Sequence, residues 1–196
     1  MIKSTSKRFG KVLYILYPGD YYATRENCVL GTVTGSCVAV CLYDSTRRIG
    51  GMGHFIVPGA LGTEEIYRDQ IASHGITSME YIIGEIVKLG GDRKYLRAKI
   101  FGASYLQDDE SRIHGVSLAT MRFMHEYFTI EKIPVEVDDL GGNARRKLYF
   151  IPTTGRVFRK VLRHNEESSE FIRLEREYIE HTFERRGTYG KVILFE

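Results

Sequence analysis

The stretch Gly35-Ser36-Cys37-Val38-Ala39-Val40-Cys41-Leu42-Tyr43-Asp44-Ser45-Thr46-Arg47-Arg48-Ile49-Gly50-Gly51-Met52-Gly53-His54-Phe55-Ile56-Val57-Pro58 decides how the chain is read. Val38 to Tyr43 is an unbroken β-prone apolar run, the pattern of a strand covered on both faces. Asp44-Ser45-Thr46-Arg47 supplies a turn, and Phe55-Ile56-Val57 reads as a second short strand stopped by Pro58. Two positions in this unit can do chemistry: Cys37, just after Gly35-Ser36, and His54, just after Gly50-Gly51-Met52-Gly53. A turn centred on Ser45-Thr46 pairs residues whose numbers sum to 91, and 37 plus 54 is 91. That register sets the thiol directly opposite the imidazole, with Cβ atoms about 5 Å apart.

Working outward on the N-terminal side, residues 1 to 10 read as a loose polar lead and 12 to 17 as a strand ended by the Pro18-Gly19-Asp20 turn. Residues 21 to 24 read as extended, and 28 to 34 lead into the central unit. On the other side, 59 to 75 read as a loop with one short helix. Met79, Ile82, Ile83, Ile86 and Leu89 recur at helical spacing and predict a helix over 76–89, stopped by Gly90-Gly91. Residues 96 to 102 alternate as a strand, 107 to 111 form a polar loop, and Leu118, Met121, Met124 and Phe128 predict a second helix over 117–129. A strand follows at 133–137, a turn-rich loop at 138–143, and a hairpin from 147–151 and 156–162. The charged segment 163–186 predicts a surface helix, and 189–195 an edge strand or loose end. The class is α+β, a mixed and mostly antiparallel sheet with two core helices. The division is a domain over 1–162 and a charged helical extension over 163–196.

Composition narrows the function. The 196 residues are 43% hydrophobic and 27% charged, the balance of a globular protein. The formal charge of +3 is small, and no Lys/Arg cluster is flanked by stacking aromatics, so nucleic acid is not the expected partner. No stretch reaches the roughly 20 apolar residues of a membrane span, and the N-terminus lacks a signal-peptide core. Three cysteines without scaffold spacing suit a reducing compartment, so the expected location is the cytoplasm.

Cys28 and Cys41 read as small apolar core residues. Cys37 follows a glycine at a strand's entry, where exposed N–H groups of Gly35 and Ser36 can meet a developing oxyanion. A thiol of pKa about 8.5 needs a base to become a nucleophile, and His54 is the candidate. A third polar group orients such a base, and Thr32, Thr34 and Ser36 are near enough in sequence. Zinc is the weaker reading, since Cys37, Cys41 and His54 have no CxxC or HxxxH partners. His74, His114, His125, His164 and His181 read as surface side chains.

These residues, with Tyr17 to Tyr22, Ala98 to Gly102, Ile133-Pro134-Val135, Asp139 to Gly142 and Arg146, resemble the chemoreceptor glutamine deamidase family CheD over about residues 11 to 162. The resemblance implies a layered α/β sandwich akin to bacterial toxin deamidases. It implies a cytoplasmic enzyme without cofactor or metal that hydrolyses glutamine side chains of methyl-accepting chemotaxis receptors. Cys37 would attack and His54 would take the proton. It also implies a possible CheC-type phosphatase partner. The family's threonine, six residues before the cysteine, falls here on Gly31, and Thr32 takes its role in this reading. A non-catalytic adaptor binding receptors or such a phosphatase is the alternative.

Overall fold

The computed structural model describes residues 1–57, 70–105, 111–162 and 169–184. Ten strands and three α-helices lie among them: β1 Ile2–Ser6, β2 Lys11–Ile15, β3 Tyr21–Thr24, β4 Val29–Thr34, β5 Val38–Asp44, β6 Ile49–Phe55, α1 Gln70–Lys88, β7 Leu96–Gly102, α2 Ser111–Glu131, β8 Val135–Leu140, β9 Arg146–Ile151, β10 Arg156–Val161 and α3 Ser169–Glu184. The class is α+β as expected, but the strands divide into two five-stranded sheets. One has the order β1-β2-β4-β9-β10 and the other β3-β6-β5-β7-β8. Pairing is antiparallel except for β2 with β4 and β7 with β8.

The continuous apolar run of β5 follows from its place between layers. Val38, Val40 and Leu42 point into a core with Ile82 and Ile86 of α1 and Phe123 and Phe128 of α2. Ala39, Cys41 and Tyr43 point the other way, against Leu30, Leu148 and Phe150 of the first sheet. The order of layers is therefore helices, sheet, sheet. Each fully buried aliphatic side chain in them contributes about 1.5–3 kcal/mol by leaving water.

The central hairpin departs from the expected register. Ala39 pairs with His54 and Asp44 with Ile49, so partners sum to 93. The loop is Ser45 to Arg48, one residue later than the sequence suggests. Asp44 sets it: its Oδ1 accepts the N–H groups of Thr46 and Arg47 at 2.9 and 3.0 Å, and Arg48 closes it at φ 56°. A shift of two in the sum leaves every residue on its original face, because strand side chains alternate with period 2. Cys37 and His54 become diagonal neighbours on one face instead of direct partners.

Four further differences have local causes. The polar lead contains β1, whose backbone pairs with β2 although most of its side chains are exposed. The glycines at 50, 51 and 53 lie inside β6. The second of these layers needs them: a Cβ on Gly53 would come 2.2 Å from Ile82 Cδ1, so the glycine lets α1 sit close on the sheet. Asp138, Asp139 and Leu140 extend β8 in place of a loop. The charged segment forms α3, but one face of it is buried, with Glu175 3% and Ile179 5% exposed. Most of the loop expected at 59–75 and at 107–111, and the end at 189–195, lie outside the described residues.

Candidate active site

The first sheet supplies Thr32. On β4 its side chain shares the side of Leu30, which faces the second sheet, whereas a Cβ at Gly31 would meet Leu13, Ile15 and Tyr149 on the other side. Thr32 Oγ1 lies 2.8 Å from the Leu16 carbonyl oxygen and 2.9 Å from His54 Nδ1. A hydroxyl has one proton, and a carbonyl can only accept. Thr32 therefore donates to Leu16, and its oxygen accepts the Nδ1–H of His54. That assignment leaves Nε2 as the ring's unprotonated nitrogen, and Nε2 is buried without a hydrogen-bond partner among the described residues.

His54 is held from a second side by its backbone. Its N–H donates to the Asp20 carbonyl at 2.9 Å, and its carbonyl accepts from Gly19 N–H at 2.7 Å. The Pro18-Gly19-Asp20 turn thus anchors the end of β6. Burial depresses the His54 pKa to about 4, against a smaller upward pull from Glu175 and Asp20. The imidazole is neutral at physiological pH.

Between β4 and β5 the chain bends at Gly35-Ser36-Cys37. The carbonyls of the bend are tied to one side: Cys37 O accepts from Ala103 N–H at 2.8 Å and from the Thr34 hydroxyl at 2.6 Å, and Gly35 O accepts from Ser104 N–H at 2.8 Å. Gly102 makes this possible. It has φ 108°, and a Cβ there would stand 2.2 Å from Cys37 O. The bend's N–H groups point to the opposite side. Those of Gly35 and Cys37 converge on one oxygen, Glu175 Oε1, each at 3.0 Å. Ser36, between them, is buried.

Glu175 comes from α3. Its other oxygen, Oε2, accepts from Arg145 Nη1. Burial alone would raise the Glu175 pKa; Arg145, the Cys37 N–H, His54 and the Gly35 N–H outweigh it and hold the carboxyl below its usual range. Cys37 Sγ, a ring nitrogen of His54 and a Glu175 oxygen lie within 4.8 Å of one another, and all three residues are buried. The three are a possible ligand set in type. Both Glu175 oxygens, however, are already committed to hydrogen-bond donors, and a cation would have to displace Arg145. The donor set suits an anion better than a metal.

The structure thus brings together Cys37, His54, Thr32 and Gly35, with Ser36 alongside. Thr34 does not reach the histidine and closes the bend instead. Leu16, Arg145 and Glu175 were not singled out by sequence. A signal for Glu175 was present: Phe171, Tyr178, Ile179 and Thr182 lie on its side of a helix at steps of three and four.

Comparison with known proteins agrees with this architecture. A family model described as CheD chemotactic sensory transduction matches residues 57–161. A Shewanella oneidensis protein named probable chemoreceptor glutamine deamidase CheD 1 is 39% identical over 151 residues, covering 77% of this chain and 73% of its own. A Burkholderia thailandensis protein of the same name is 38% identical over 148 residues, covering 76% of this chain and 63% of its own. This chain belongs to the CheD family. The match to the family model begins at residue 57, after Cys37 and His54. No helix among the described residues is long and apolar enough to cross a membrane.

Proposed function

We propose that this protein is a cytoplasmic cysteine-dependent hydrolase that deamidates glutamine side chains of methyl-accepting chemotaxis receptors. The observation that carries the reading is the hydrogen-bond chain from the Leu16 carbonyl through Thr32 to His54 Nδ1, which leaves Nε2 as the nitrogen that can accept a proton, with Cys37 Sγ within 4.8 Å of a ring nitrogen of the same histidine. The names of its relatives in Shewanella and Burkholderia support the substrate.

In this mechanism the resting imidazole is neutral. When a glutamine side chain enters, Cys37 Sγ bonds to the amide carbon while its proton passes to His54 Nε2. The carbonyl oxygen, now negative, is received by the N–H groups of Gly35 and Cys37, the pair that holds Glu175 Oε1 at 3.0 Å. His54 returns the proton to the amide nitrogen and ammonia leaves, giving a thioester on Cys37. Water, deprotonated by His54, attacks the thioester, and glutamate and free thiol are released. Thr32 orients the imidazole and touches no substrate. The steps need water and no cofactor.

The test is the mass of a purified chemoreceptor cytoplasmic fragment after incubation. Each converted glutamine adds about 1 Da, the difference between an amide and an acid, and Cys37→Ala should abolish the change. An active Cys37→Ala protein would end the nucleophile assignment. The alternative is an adaptor that binds receptors or a CheC-type phosphatase, and the complete burial of Cys37 favours it. That reading requires an unchanged receptor mass together with a stable complex.

A further inference from the structure

The groups that the mechanism reserves for substrate are already in use. Glu175 Oε1 lies where an oxyanion would lie, between the Gly35 and Cys37 N–H groups, and Oε2 is paired with Arg145. A glutamate side chain is also what deamidation of glutamine produces. α3 presents it as one residue of a docked helical face. Phe171, one turn before Glu175, packs against Tyr17 with ring centroids 5.2 Å apart and tilted by 34°. Tyr178, three residues after it, lies against Gly19 and meets His74 Nε2 through its hydroxyl at 3.1 Å. Ile179, four after it, packs with Cys37, Ile56 and Val116. With α3 seated, Cys37 and His54 are each 0% exposed.

We propose that α3 is an internal product analogue: it occupies the groove into which a substrate helix docks, with Glu175 held as the deamidated side chain, and must leave before a receptor glutamine can enter. This deepens the deamidase reading and rests on it. Three features favour α3 as a removable occupant over a fixed part of the wall. Its buried charge, Glu175, is matched by donors of the main body, Arg145 and two peptide N–H groups, that a substrate would also use. A carboxylate suits Arg145 better than an amide does, so the resident glutamate outlasts a passing glutamine. Among the described residues, Phe171, Tyr178 and Ile179 carry apolar contacts of α3 to the body, while its outer face is rich in charge, as in the exposed Arg173–Glu177 pair. The same geometry sets a preference for substrates. A glutamine on an amphipathic helix with large apolar residues three and four positions later reproduces the Glu175, Tyr178, Ile179 arrangement.

Two variants of the full chain test the proposal, one at the carboxylate and one away from it. Glu175→Gln removes the ion pair, and Ile179→Arg unseats the apolar face while leaving every proposed reacting group intact. Each should raise the rate at which iodoacetamide labels Cys37 by about tenfold or more, because labelling is limited by opening of the cover. Ile179→Arg should also raise the rate of deamidation of a chemoreceptor cytoplasmic fragment by a similar factor. A synthetic peptide of residues 169–184 should slow both reactions of the Ile179→Arg protein. Circular dichroism checks that each variant keeps its sheets. Unchanged labelling and unchanged receptor turnover in a folded Ile179→Arg protein would overturn the proposal and leave the deamidase reading in place. Faster labelling with a receptor fragment that never gains mass would overturn the deamidase reading, and with it the identity of Glu175 as a product analogue.

Discussion

Thr32 Oγ1 gives its proton to the Leu16 carbonyl and accepts the Nδ1–H of His54 at 2.9 Å, so one hydroxyl fixes which nitrogen of the imidazole is basic. The contact also joins the two sheets, since Thr32 belongs to one and His54 to the other.

Thr32→Val keeps the shape of the side chain and deletes the acceptor. Turnover should fall by about 10- to 100-fold, the scale of losing an orienting hydrogen bond worth about 1.5–3 kcal/mol in a charged site. Thr34→Val should act differently. It loses the 2.6 Å bond to the Cys37 carbonyl, and its main effect should be a destabilisation of about 1 kcal/mol with a smaller loss of rate. Parallel denaturation and turnover measurements separate the two; a reversed pattern would mean that Thr34 is the orienting residue.

His54→Asn removes the base at similar volume. The loss should appear in kcat, on the order of 100-fold or more, with little change in KM. If only KM moved, His54 would be a binding residue.

The buried histidine also gives stability a pH signature. Its pKa is about 4 in the folded protein against about 6.5 when unfolded, so between these values the unfolded chain binds the proton and the native one does not. Stability should therefore fall as pH drops from 6.5 towards 4, by on the order of 3 kcal/mol from this group. Glu175, whose carboxyl is held below its usual range, adds stability that is present above that range and is lost as pH falls through and below it, so its loss begins later in acidification than that of His54. Urea midpoints across pH 4.5–7 should slope for the native chain and slope less for His54→Asn.

Cys28 and Cys41 should stay unlabelled in every folded variant. Burial, with Glu26 adding to it, pushes the Cys28 thiol up to about 11, and burial pushes Cys41 higher still. Peptide mapping after alkylation in denaturant, compared with native buffer, reads this directly; native labelling at Cys41 would mean that the core between the sheets opens.

Gly102→Ala should be the most damaging conservative change near the site. The new Cβ would need to occupy space 2.2 Å from Cys37 O and 2.7 Å from Thr34 Oγ1, at a φ of 108° that L side chains avoid. A loss of about 3 kcal/mol or more is expected from combined strain and overpacking, measurable as a lowered Tm.

Much of this was legible because it is local. An apolar run with no polar interruption required β5 to be covered twice, and parity alone carried Cys37 and His54 to one face although the turn was placed a residue early. Thr32 was reachable by the same logic, through the alternation of β4. β1 was missed because edge strands are held by backbone bonds, and its exposed side chains carry no pattern. Glu175 was missed for a different reason. Its amide partners are 138 and 140 residues away in the chain, and a charged helix is by default read as facing water. Nothing in the local sequence says that two peptide N–H groups and an arginine elsewhere will bind one of those charges.

The pairing of Leu30 with Phe150 implies an order of events during synthesis. The hairpin that carries His54 can close as soon as residue 55 has been made, whereas β4 gains its second neighbour only after residues 146–151 emerge. Pairings between distant segments form slowly, because a long loop must close first. A nascent chain halted before β9 should therefore hold thiol and imidazole with no fixed Thr32 between the sheets to settle the proton. The Thr32–His54 contact waits for β9, and α3, made last of the described elements, follows β9 in the chain and covers Cys37 and His54.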